Sequence, residues 1–181
     1  SMEDLAPTGA EAPSVSLWDL PACQLIRRFV GHQDAVYWVA LSSDQTTALT
    51  GSADRSIILW DLATGQPLRH FTGHTLPVHT VAYGTDGQTI LSGSEDQTIR
   101  LWDVNTGAER FRFEGHPTTV QNVLYLPGTN HLLSRAKDGS LIEWQLPLAD
   151  RGELLTWTYA HRYVRDLTCD ERLLYHVAPC P

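Results

Sequence analysis

The 181-residue chain sets 13 Lys+Arg against 21 Asp+Glu, a formal net charge of −8, and is 42% hydrophobic and only 19% charged. That is a globular composition, not a disordered one, and the low charge argues against a coiled coil; the acidic balance lacks the basic footprint of a phosphate-binding surface, so nucleic acid is not expected as a partner. Cys23, Cys169 and Cys180 form no CxxC pair and no even framework, which fits a reducing, cytoplasmic setting without structural zinc, and no apolar run approaches the roughly 20 residues that span a bilayer.

Residues 1–13 are polar and Pro/Ala-rich and read as a disordered leader. Ser16–Asp19 and Gln24–Phe29 are the first β-prone runs. Val36–Leu41, Thr47–Thr50, Ser56–Trp60 and Pro67–Phe71 follow, then Val78–Tyr83, Thr89–Ser92, Thr98–Trp102 and Glu109–Phe113. Thr119–Tyr125, His131–Ser134 and Ser140–Trp144 make a third series. Turn chemistry separates them: Asp86-Gly87 is a hairpin signal, and Glu95-Asp96-Gln97 and Asn105-Thr106-Gly107 are further turns.

The runs recur with a fixed period. Trp18-Asp19, Trp60-Asp61 and Trp102-Asp103 stand 42 residues apart, and Trp144 continues the series with Gln145 in the Asp place. Gly31-His32, Gly73-His74 and Gly115-His116 keep the same spacing. Four short antiparallel strands per repeat build one blade of a β-propeller. The paired dipeptides resemble the WD40 family, and the resemblance covers Ser16 to Trp144. The expected fold is therefore an all-β propeller of about 3.5–4 four-stranded blades. It divides into a half blade at 14–30, blade 1 at 31–72, blade 2 at 73–114, blade 3 at 115–160 and a tail at 161–181. The half blade holds third and fourth strands only; its first two are absent, and Ala12 stands where the repeat carries Asp.

Each repeat also aligns four polar residues: His32, Thr50, Asp54 and Trp60; His74, Ser92, Asp96 and Trp102; His116, Ser134, Asp138 and Trp144. Ser, His and Asp are the vocabulary of nucleophilic catalysis. Three copies at identical spacings instead suggest part of each unit's construction, because an enzyme needs one such site. The resemblance implies a hydrogen-bonded chain from Trp through Ser/Thr and His to Asp, hence three complete structural tetrads and no catalytic residue. The three histidines fall in different blades without short ligand spacing, so no metal or cofactor is expected. His70, His79 and His131 read as ordinary surface positions.

Propellers bind through loops at the channel rim, since blade faces are consumed by packing. By position, the candidate partner-binding rim comprises Tyr37, His79 and Gln121 after each Gly-His, with Ala53, Glu95 and Lys137 before each tetrad Asp. The expected function is a non-enzymatic protein-interaction scaffold or sensor; the alternative is a carbohydrate- or small-molecule-binding propeller. The end of the chain, from His161 through Tyr175 to Cys180, resembles the C-terminus of large bacterial WD40 proteins. That likeness implies a parent with an NTPase or kinase module, neither of whose signatures occurs here.

Residues 150–178 read two ways. Leu154–Thr158 fits a last strand, with Val164–Cys169 and Leu173–Val177 as two more, while capping boxes at Asp150/Glu153 and Thr168/Glu171 favour a short helical tail. Either way the blades fall short of a ring. The expectation is self-association, as a dimer that completes a seven- or eight-blade ring.

Overall fold

The computed structural model describes residues 13–126 and 128–146, and every regular element among them is a strand. The strands are β1 (Ser14–Asp19), β2 (Gln24–Val30), β3 (Val36–Leu41), β4 (Thr47–Ser52), β5 (Ser56–Asp61), β6 (Pro67–Thr72), β7 (Val78–Tyr83), β8 (Thr89–Ser94), β9 (Thr98–Asp103), β10 (Glu109–Glu114), β11 (Val120–Tyr125), β12 (His131–Ala136) and β13 (Leu141–Gln145). They pair antiparallel in chain order as β1-β2, β3-β4-β5-β6, β7-β8-β9-β10 and β11-β12-β13. The all-β, blade-like architecture is thus as the repeat implied, and the sheets among the described residues do not close into a ring. The expected last strand at Leu154–Thr158, the two further strands and the helical tail lie outside the described residues, as do residues 1–12 of the leader.

Two local differences have a physical source. β4, β8 and β12 run two residues beyond the expected Thr50, Ser92 and Ser134; in β4 and β8 the residues that follow, Gly51 and Gly93, lie close under the next blade. A Cβ on Gly51 would stand 3.0 Å from Val78 Cγ1, and one on Gly93 only 2.6 Å from Val120 Cγ1. Glycine is there for close approach, not for a turn. The third series also starts one residue late, at Val120 and Leu141.

The core lies between blades. Leu49, Ile57, Leu59 and Phe71 of the first full sheet pack on Val78, Val81, Ile90 and Trp102 of the second. Leu91, Ile99, Leu101 and Phe113 of the second pack on Val120, Val123, Leu132 and Leu146. Each such aliphatic or aromatic side chain contributes roughly 1.5–3 kcal/mol by leaving water. Polar ties repeat at the same joints. Tyr83 and Tyr125 hydroxyls meet Thr47 and Thr89 of the preceding blade at 2.9 and 3.1 Å. Arg27 and Arg69 donate forward to the carbonyls of Thr64 and Thr106 at 2.5 and 3.2 Å.

The half blade covers only part of its neighbour. Val15, Leu17 and Phe29 pack on Ile58 and Trp60 of β5, but nothing described lies over the inner strand β3. Trp38 and Val39 are 39% and 44% exposed, where Thr80 and Val81, their equivalents on β7, are 0% and 1% exposed.

Candidate functional site

The blade frame brings the aligned polar residues together. In blade 1, Trp60 Nε1–H donates to Thr50 Oγ1 at 2.8 Å; Thr50 Oγ1 lies 2.6 Å from His32 Nε2, and His32 Nδ1 lies 2.8 Å from Asp54 Oδ2. Blade 2 repeats this from Trp102 to Ser92 at 2.8 Å, Ser92 to His74 at 2.7 Å and His74 to Asp96 at 2.8 Å. The direction of the chain is set by its ends. An indole can only donate and a carboxylate can only accept, so the hydroxyl donates to Nε2 and the Nδ1–H donates to Asp.

Electrostatics follow the same geometry. Burial pushes the Asp54 carboxyl up, but hydrogen bonds from the Ser56 hydroxyl, the Gln33 and Ser56 amides and His32 outweigh it and hold it at about 2. Asp96 is likewise held well below the usual carboxylate range: burial opposes this, and His74, Thr98 and the Thr75 amide overcome it. Burial lowers His74 despite the Asp96 carboxylate beside it.

The third set departs from the expectation of three complete tetrads. Trp144 Nε1–H donates to Ser134 Oγ at 2.7 Å, and Ser134 Oγ lies 2.6 Å from His116 Nε2. His116 Nδ1, however, meets Ser140 Oγ at 3.2 Å, and Asp138 accepts from the Ser140 hydroxyl and amide at 2.7 and 3.0 Å instead. The reason is one residue. In the first two blades the amides of Gln33 and Thr75 donate to Asp54 Oδ2 and Asp96 Oδ2 at 2.9 and 3.1 Å. Pro117 occupies that place in blade 3 and has no N–H. Asp138, without that anchor, stays exposed, and His116, lowered by burial, keeps only an indirect link to it through Ser140.

Sequence reasoning missed a fifth member. Ser56 and Thr98 hydroxyls donate to their tetrad Asp at 2.6 Å and also approach the His Nδ1 at 3.2 and 3.4 Å. Ser56, Thr98 and Ser140 are themselves 42 residues apart, so the signal was present. Blade 2 adds a residue unlike its equivalents Ile58 and Ile142. Arg100, 3% exposed, pairs with Glu109 at 2.6 Å and stands 3.6 Å from Asp96.

These hydroxyls are poorly placed for catalysis. Thr50, Ser92 and Ser134 are each at most 1% exposed, and the indole N–H already occupies an acceptor lone pair on each. Among the described residues, no group of three His, Cys, Asp or Glu side chains gathers to hold a metal, and no helix is long and apolar enough to cross a membrane.

At the rim, the structure brings three of the six expected residues together. The Tyr37 and His79 rings stack with centroids 4.9 Å apart and planes 13° from parallel, and His79 Nε2 lies 4.0 Å from Glu95 Oε2. Tyr37 and Glu95 are exposed and His79 is half-buried. Ala53, Gln121 and Lys137 are not joined to this group by any hydrogen bond, ion pair or ring contact. The backbone beneath is the same in all blades: the amides of Ala53, Glu95 and Lys137 donate to the carbonyls of Ala35, Pro77 and Thr119 at 2.8–2.9 Å. A cleft of about 700 Å³ opens at the other end of the strands, between the first two full sheets, and is lined by residues including Ser42, Asp44, Arg69, Tyr83 and Asn105. None of the six rim residues lines it.

A profile of the WD40 family (WD domain, G-beta repeat) matches residues 23–61 and 65–103. Those spans run from the β1–β2 turn to the end of β5, and from the β5–β6 turn to the end of β9. The two matched spans are WD40 repeats. WD40 repeats are in general protein-interaction scaffolds, and each matched span here holds the outer strand of one blade and the inner three of the next. No curated protein is similar enough to the chain to count as a relative.

Proposed function

We propose that the chain is a non-enzymatic docking segment that holds a protein partner through its rim, in the cytoplasm and as part of a larger signalling protein. The observation that carries this reading is the Tyr37–His79–Glu95 group, which spans two blades on loops whose backbone is held fixed. Stacked rings offer apolar area at low entropic cost, and the adjacent carboxylate adds a charge for orientation. The small-molecule alternative wants a concave aromatic pocket at that place; the cleft lies at the opposite end and is lined chiefly by polar loops.

The test is a quantitative one. A partner is captured on the immobilised chain, identified, purified and titrated against the wild type and against Tyr37→Ala and Glu95→Ala. Weakening of about 10-fold or more by either change supports the rim. Equal affinity for all three chains refutes it.

Self-association is a second reading, favoured by the exposed Trp38 and Val39 and by the edges of β1 and β13, which pair with no further strand among the described residues. A second copy would complete a seven- or eight-blade ring. Light scattering across concentrations decides it: a dimer mass supports ring completion, and a constant 20.2 kDa particle rules it out.

A further inference from the structure

Two carboxylates at the rim have acceptor capacity that the fold leaves unused. Glu95 Oε2 lies 4.0 Å from His79 Nε2, beyond hydrogen-bond reach, and no hydrogen bond from the described residues meets its carboxylate. Asp34, on the loop that leads into Tyr37, accepts only from the amide of its neighbour Ala35 at 2.7 Å. Both residues are exposed. The other loop carboxylates of these two blades are already engaged. Asp54 and Asp96 each hold a tetrad histidine. Asp44 and Asp86, at the far end of the same sheets, hold the donors of their own turns. The stacked Tyr37 and His79 rings therefore have an unused acid beside each of them: Asp34 three residues before Tyr37, and Glu95 next to His79.

Charge at this end of the strands has one sign. Among the described residues, the loops here in blades 1 and 2 carry Asp34, Asp54, Glu95 and Asp96 against Arg55 alone. Asp54, held at about 2, and Asp96, held lower, stay ionised at neutral pH. Arg100 lies beneath Asp96, but Glu109 already pairs with it at 2.6 Å. In blade 3 the sign turns, because Lys137 stands where blade 2 has Glu95 and blade 1 has Ala53. A cationic segment is therefore drawn to blades 1 and 2 and turned away at blade 3. An acidic or phosphorylated segment meets like charge at both Asp34 and Glu95.

We infer that the partner held at the rim presents a basic segment with arginine at its centre, an inference that rests on the rim reading above. One guanidinium pairs with the Glu95 carboxylate and lies against the Tyr37–His79 rings, and a second basic residue of the segment takes Asp34. Arginine suits the place better than lysine. Its planar fork donates to both oxygens of a carboxylate, it stacks on aromatic rings, and it gives up its water more readily than an ammonium does.

The test titrates the full chain against a fluorescein-labelled peptide of alternating Arg and Gly, long enough to cross two blades, with Lys-Gly and Glu-Gly peptides of the same length for comparison. Fluorescence anisotropy is expected to rank them Arg, then Lys, with the Glu peptide unbound. Glu95→Gln is expected to weaken the Arg peptide about 5-fold. Glu143→Gln removes the same charge from an exposed pair with His131 on β13 and is expected to change affinity by less than about 2-fold. Lys137→Glu is expected to tighten binding about 3-fold, a gain that a folding defect does not produce. Absence of binding by the Arg peptide, equal effects of Glu95→Gln and Glu143→Gln, or no gain from Lys137→Glu overturns the inference. The captured partner separates this failure from that of the rim. If Tyr37→Ala weakens it while Glu95→Lys does not, the rim stands and the basic segment falls; if neither Tyr37→Ala nor Glu95→Ala weakens it, the rim itself is refuted.

Discussion

Asp54, Asp96 and Asp138 occupy one position of the repeat, yet their replacement by Ala is expected to have unequal effects. Asp96 accepts from His74, the Thr75 amide and the Thr98 amide and hydroxyl, and stands 3.6 Å from Arg100. Its removal leaves a buried imidazole N–H without an acceptor and a 3%-exposed guanidinium with Glu109 as its remaining counter-charge. Breaking a buried charged pair this way costs about 3 kcal/mol or more. Asp54 holds the same donors from His32, Gln33 and Ser56 but has no arginine beside it, which puts its loss at about 2 kcal/mol. Asp138 takes only the two donors of Ser140 and leaves His116 with its existing contact, so Asp138→Ala is expected to leave the unfolding midpoint close to wild type. Urea denaturation of the three variants, with a common slope, measures the series. Equal losses at all three positions, or a loss at Asp138 matching that at Asp96, would refute the reasoning.

Acidification should weaken the fold in two stages, followed by circular dichroism across pH at fixed urea. His74 and His116 sit below the ordinary 6.5 in the folded chain, so the folded state binds fewer protons than the unfolded one and stability falls as pH drops below that value. Asp54 is held at about 2 against an ordinary 3.8, and Asp96 lies lower still, so a second fall begins near 4; a single transition confined below pH 4 would contradict the histidine part. Pro117→Thr restores the missing amide, and NMR titration should then show His116 shifted upward by a direct Asp138 partner, whereas an unchanged titration would mean that the proline is not the cause. Gly93→Ala forces a Cβ to within 2.6 Å of Val120 and should cost about 1–3 kcal/mol by overpacking. A neutral result in thermal unfolding would show that the joint between the second and third blades is slack.

Much of this was legible because the repeat multiplies every signal. The Trp-Asp and Gly-His pairs fixed the period, and the strand positions followed to within two residues at each end. The third tetrad was misjudged because spacing identifies which residues meet but not which backbone donors hold them. The swap that matters, proline for Gln33 or Thr75, lies outside the four aligned positions. Ser56, Thr98 and Ser140 were readable at the same period and were passed over because short hydroxyl residues near a turn look like ordinary turn chemistry. Arg27 and Arg69 are also 42 residues apart, but the spacing does not show that each crosses a joint to a specific carbonyl. The stack of Tyr37 on His79 could not be read from positions in the repeat, because it depends on the angle between two neighbouring blades.

The ties between blades bear on how the chain is made. Tyr83 and Tyr125 each reach back to a threonine synthesised 36 residues earlier, so a newly emerged blade finds its hydrogen-bond partner already waiting outside the ribosome. Arg27 and Arg69 work in the opposite sense, each reaching forward to a carbonyl translated 37 residues later. Every joint is thereby locked as soon as one further unit has been translated. Assembly can proceed from the N-terminal end with no search over distant segments, each new face waiting only for the unit translated next.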